Sequence, residues 1–155
     1  MEPRIDYKKF PAIQAMMGLE KTVHQSGLEP KMRELIKLRA SQINGCAYCI
    51  DMHTKDARAL GETEQRLYAV SVWQETPFFS EREKAALAWT EALTLISQNH
   101  IADELYDQVR GHFNEKELVD LTLAIITING WNRLAKSFRT VPGSYQPAAK
   151  ATAAV

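Results

Sequence analysis

The stretch "LTLAIITI", residues 121–128, decides the fold. Alone, its β-branched isoleucines and threonines suit a buried strand. Its flanks decide otherwise. Glu117, Leu118 and Leu121 on one side, and Trp131, Leu134 and Phe138 on the other, carry a helical period across it, so it reads as one long, buried helix. The same spacing recurs in "MRELIKLRA" (32–40) and "REKAALAWTEALTLI" (82–96), and strand alternation is almost absent.

The punctuation agrees with an all-α chain. Ser80 with Glu83, and Asn114 with Glu117, are capping-box pairs, while Gly27, Gly61 and Gly143 fall where helices should stop. The expected helices, about seven in all, span roughly 7–25, 30–43, 46–60, 63–75, 80–97, 102–112 and 115–138. They form a single domain over residues 1–141, and 142–155, small-residue and proline-containing, reads as a flexible tail. A faint internal repeat is visible: "ELIKL" leads to "ING" and then Cys46, and "ELVDL" leads to "ING" and then Trp131.

At 155 residues with 45% hydrophobic content the chain can fill one core. Its nineteen basic and nineteen acidic side chains cancel without forming runs, which leaves no footprint for nucleic acid or an anionic membrane. The amino terminus is charged from its second residue and no apolar run approaches a membrane span, so the expected location is the cytoplasm.

In that compartment "NGCAYCIDMH" (44–53) gains its meaning, because reducing conditions make a Cys-x-x-Cys catalytic or metal-binding more often than structural. Asn44-Gly45 suits a helix end, and Cys46 then opens the next helix. On that helix Cys46, Cys49 and His53 stand at i, i+3 and i+7 on one face. A first-turn thiolate is stabilised by the helix dipole, and a neighbouring imidazolium adds to this. The dipole favours Cys46 as the lower-pKa thiol; the i+4 neighbour His53 favours Cys49. Both make dithiol redox chemistry. Zinc is the competing reading, but the motif supplies three ligands, and a fourth would have to come from Glu34, His24, His100 or His112 by accident of folding. Burial of two inert cysteines is the other bland alternative.

Glu34, then Cys46-Ala47-Tyr48-Cys49, then His53, in an all-helical chain of this length, resembles the core of the alkylhydroperoxidase D (AhpD) and carboxymuconolactone decarboxylase superfamily, specifically its Cys-x-x-Cys-x-x-x-His branch. The resemblance runs from about residue 10 to "INGWNRLAKSFR" near 139. It implies an AhpD-like helical bundle that assembles as a homo-oligomer, a trimer or hexamer. It also implies an alkylhydroperoxidase-like activity. Cys49 would be the peroxidatic thiol that becomes a sulfenic acid, Cys46 the proton donor and resolving thiol, His53 the base, and Glu34 the other end of the relay. The resemblance departs at Tyr48, where the best-known members carry a relay histidine; tyrosine can hydrogen-bond in its place but does not titrate near neutrality.

The substrate implied is a hydroperoxide, and the reductant another protein, such as a lipoylated one, or a small dithiol. No cofactor is expected, since no nucleotide or flavin fingerprint is present, and no metal. The alternatives are a carboxymuconolactone decarboxylase-type enzyme and a non-enzymatic redox-sensing or zinc-binding interaction protein. His24, His100 and His112 read as surface or cap residues; Trp73, Trp89 and Trp131 read as core or subunit interface.

Overall fold

A computed structural model describes residues 2–147. They form seven α-helices, α1 (Ile13–Gln25), α2 (Pro30–Ile43), α3 (Ala47–Ala59), α4 (Glu64–Ala69), α5 (Glu81–Thr94), α6 (Asp103–Arg110) and α7 (Glu115–Ser137), with 3-10 turns at Tyr7–Lys9 and Val70–Glu75 and no strand among them. Among the described residues no helix is long and apolar enough to cross a membrane.

Two helix limits differ most from expectation, each for a local reason. The first helix starts at Ile13, because Pro11 drives Phe10 into extended backbone (φ −95°, ψ 138°). The fourth gives way to a 3-10 turn broken at Val72 (φ −129°, ψ 32°), where Trp73 turns inward to donate its indole N–H to Glu91 (2.8 Å). The last helix ends at Ser137, as its expected span has it to within one residue, and Gly143 is not its stop. Arg139 takes the left-handed conformation (φ 56°), and the amide of Thr140 bonds back to the carbonyl of Ala135 (2.8 Å). A non-glycine residue there costs roughly 1–2 kcal/mol, so the packing around it must fix the turn.

Capping boxes at Ser80 and Asn114 start α5 and α7 as expected. α7 carries Leu118, Leu121, Ala124 and Ile125 into the core, where they meet α1, α2, α5 and α6 around Val23, Ile36, Trp89 and Phe113. Each fully buried aliphatic side chain is worth about 1.5–3 kcal/mol. The helix is not buried all round: Val119 is 68% and Ile126 55% exposed. A second apolar cluster, with Leu35, Leu38, Leu67 and Trp73, joins α2 to α3, α4 and the 3-10 turn.

The two "ING" copies play different parts. The first ends α2: Gly45 is left-handed (φ 62°), its amide bonds to Gln42 and that of Cys46 to Ser41 (3.1 and 2.9 Å). The second lies inside α7, where Gly130 lets Met16 of α1 approach closely. The copies meet: Asn44 donates to Asn129 and Asn132 of α7 (both 2.9 Å), Asn132 donates to Ser41 (3.0 Å), and Lys136 donates to the carbonyl of Asn44 (2.6 Å). α7 therefore clamps the α2–α3 corner through polar groups satisfied inside the fold.

Of the segment expected to be a flexible tail, residues 143–147 lie along α3. Lys55 donates to the carbonyls of Gly143 and Tyr145 (3.2 and 3.0 Å), Asp51 accepts from the amide of Gly143 (3.0 Å), and the Tyr145 hydroxyl donates to Asp56 (2.7 Å). The rest of that segment, 148–155, lies outside the described residues.

Candidate active site

The α2–α3 corner makes the site. Cys46 is pinned twice, its amide closing the turn that ends α2 and its carbonyl accepting from Ile50 (2.9 Å) as the N-cap of α3. Cys49 follows in the first turn of α3, where unpaired amides and the helix dipole favour a thiolate. The two sulfurs are joined as a disulfide, with Cα atoms 5.3 Å apart, in a small buried cluster with Ala135 and the half-buried Tyr48.

One turn further along α3, buried His53 meets buried Glu34 of α2: Nδ1 and Oε2 lie 2.8 Å apart. Burial pushes the Glu34 carboxyl up, but the bond and charge of His53, with Lys37 and Arg33 nearby, outweigh it and hold the group below its ordinary range. Glu34 is thus ionised and accepts, which places a ring proton on Nδ1 of His53 and leaves Nε2 outside this bond. Lys37 does not pair with Glu34; it turns to Glu20 of α1, which also accepts from Trp131 (3.1 Å).

Asp56, a residue that sequence reasoning passed over, completes the group. Ligand atoms of Glu34, His53 and Asp56 lie within 4.8 Å of one another, close enough to share an ion, but His53 is engaged by Glu34 and Asp56 by Tyr145. Burial raises the Asp56 carboxyl and the charge of Glu34 adds to it, against the Tyr145 bond. The signal was available, since Asp56 continues the Cys46, Cys49, His53 face at i+10.

A cavity of about 470 Å³ opens onto these groups. Cys49, His53, Glu34, Asp56 and Tyr48 line it; Cys46 does not. Tyr48 stands at its wall with Lys8 over the ring, and the Lys8 ammonium is 3.4 Å from the hydroxyl. The structure thus brings all five sequence-derived site residues to one corner. His100 and His112 take no part in the cavity, His24 lines it, and Trp131, expected in core or interface, also faces it.

The model of the carboxymuconolactone decarboxylase family matches residues 11–92, more than half of the chain. The chain belongs to this family. Its helical fold and Cys-x-x-Cys pair place it on the AhpD-like side of the superfamily. Among family relatives, the uncharacterized protein YdfG of Bacillus subtilis is 50% identical over 137 residues, 87% of this chain and 93% of that protein. A crystal structure from Agrobacterium tumefaciens, of a protein of unknown function with a proposed place in antioxidant defence as AhpD, superposes with a TM-score of 0.86 at 45% identity, over 96% of this chain and all of that one. An uncharacterized peroxidase-related protein from Silicibacter sp. shares the fold (TM-score 0.76, 24% identity, 85% of this chain and 70% of that one).

Proposed function

We propose that this family member is a thiol-dependent peroxidase, an alkylhydroperoxidase-like enzyme that reduces hydroperoxides through the Cys46–Cys49 pair. The observation that carries the reading is the asymmetry of the cavity: Cys49 lines it beside His53, and Cys46 lies behind, bonded to Cys49. The antioxidant role proposed for the Agrobacterium protein supports it.

In the reduced enzyme Nε2 of His53 takes the Cys49 proton, directly or through water, and Glu34 stabilises the imidazolium. The thiolate attacks the peroxide oxygen and the O–O bond breaks. Cys49 becomes a sulfenic acid, and the alkoxide leaves as alcohol with a proton from the Cys46 thiol or His53. The Cys46 sulfur then displaces the sulfenic oxygen as water, closing the disulfide. An external dithiol, small or carried by a lipoylated protein, restores both thiols by exchange and is itself oxidised to a disulfide. Tyr48 takes the relay position as a hydrogen-bonding group. Lactone decarboxylation, which names the family, gives adjoining thiols no role, so the joined pair favours the redox reading.

The test is turnover of cumene hydroperoxide with dihydrolipoamide as donor. Wild-type activity with none in Cys49→Ser supports the reading; equal rates in the two overturn it.

We further infer a homo-oligomer, a trimer or hexamer. Val119 and Ile126 stand two turns apart on one exposed face of α7, apolar surface of the kind subunit contacts cover.

A further inference from the structure

Among the described residues, Arg33 is the one that keeps a buried side-chain polar atom without a hydrogen-bond partner. It is 8% exposed and lines the cavity from α2. Among the described residues only Nη1 finds partners, donating to the carbonyls of Val23 and His24 at the end of α1 (3.3 and 2.9 Å). Nε is buried with no hydrogen-bond partner, the only such side-chain atom among the described residues. Among the described residues Arg33 also enters no ion pair, whereas the carboxylates around the cavity are taken: Glu20 by Lys37 and Trp131, Glu34 by His53, Asp56 by Tyr145.

A buried guanidinium with an idle edge is costly. The α1 carbonyls offset part of the charge, because a helix C-terminus carries partial negative charge. They satisfy one nitrogen only. The edge left over, Nε with Nη2, is the planar fork that matches a carboxylate through two parallel bonds.

The rest of the cavity indicates what carries that carboxylate. α2 and α3 run antiparallel, since Lys31 at the start of α2 donates to the carbonyl of Gly61 just past α3 (3.0 Å) while Cys46 joins the opposite ends. Arg33 therefore sits toward the Ala59–Leu60 end, with the Glu34–His53 pair between it and Cys49. From Cys49 to Ala59 the helix axis rises about 15 Å. Met17, Met52, Leu60, Ile128 and Trp131 line the space, an apolar wall for an extended body.

We propose that the cavity binds an organic carboxylate with an apolar body, its carboxylate held by the Nε/Nη2 edge of Arg33 and its far end directed toward Cys49. Under the peroxidase reading this makes the substrate class a carboxylate-bearing organic hydroperoxide. The binding claim itself needs no redox chemistry, so the two fail separately: a chain that holds the carboxylate without oxidation at Cys49 keeps this site and loses the peroxidase, and the reverse also holds.

The experiment is calorimetric binding of octanoate and of its neutral analogue octanamide to the oxidised, full-length protein, with Arg33→Gln, Arg33→Lys and Lys8→Gln beside the wild type. Wild type should bind octanoate at least about tenfold more tightly than octanamide, the worth of one charge-assisted hydrogen bond. Arg33→Gln should lose that preference while holding octanamide as before, Arg33→Lys should keep part of it, and Lys8→Gln should keep it whole. Equal affinities in the wild type overturn the proposal, and this comparison stands even if Arg33→Gln, stripped of its α1 contacts, fails to fold. A preference that survives Arg33→Gln, or that disappears in Lys8→Gln, also overturns it by moving the charge recognition elsewhere.

Discussion

Glu34 Oε2 and His53 Nδ1 meet at 2.8 Å in a buried bond that ties α2 to α3 one helical turn from Cys49. Through it a carboxylate on one helix orients the imidazole on the next. A hydrogen bond to a charged group is worth about 1.5–3 kcal/mol, or roughly one to two pKa units if most of it reaches the thiol. In a Cys46→Ser background, Glu34→Gln should raise the Cys49 pKa by that amount and slow reaction near neutral pH about tenfold. The measurement is the pH profile of single-site alkylation. A profile that superimposes on the Cys46→Ser parent removes Glu34 from the relay.

The same carboxylate should shape acid stability. Burial raises Glu34, yet His53, Lys37 and Arg33 hold it below its ordinary 4.5, so the unfolded chain binds this proton more readily than the folded one. The stabilisation is complete above pH 4.5 and fades as pH falls through the lowered native value. Asp56, raised by burial and by Glu34, acts in the opposite sense: its contribution is present at low pH and fades as pH rises through its raised value. Urea midpoints should therefore drop more steeply on acidification below about pH 4.5 in wild type than in Glu34→Gln. Parallel curves would show that the bond does not couple to folding.

The exposed α7 face makes a different demand. If this face carries the proposed subunit contact, Val119→Glu with Ile126→Glu should give a monomer by light scattering at micromolar concentration where the wild type is larger, with helicity preserved, because neither residue contributes to the core. A wild type that is already monomeric contradicts the assembly.

Much of this was legible in the chain because it is local. The helical period around "LTLAIITI", the capping boxes and the Asn44-Gly45 stop each depend on residues within a few positions of one another, and so does the Cys46, Cys49, His53 face. Glu34 entered through family resemblance, and the structure accounts for it: a charge that local rules would place in solvent is buried because His53 stands opposite. What escaped depends on distant partners. Trp73 breaks its helix to reach Glu91; Tyr145 finds Asp56 from the far end of the chain. Asn132, unassigned from sequence, is fully buried because it completes the α2–α3 corner from α7. Arg33 had no pattern to mark it, since only the folded cavity reveals which of its nitrogens lack a partner.

The central claim is that Cys49, not Cys46, meets the peroxide. The most direct measurement is a single turnover: one equivalent of cumene hydroperoxide added to reduced Cys46→Ser and Cys49→Ser proteins, followed by dimedone and intact mass. The account predicts one dimedone adduct, on Cys49 in the Cys46→Ser protein, and none at a comparable rate in Cys49→Ser. A sulfenic acid formed on Cys46 in Cys49→Ser, with no adduct on Cys49 in the other variant, would contradict it and reverse the two roles.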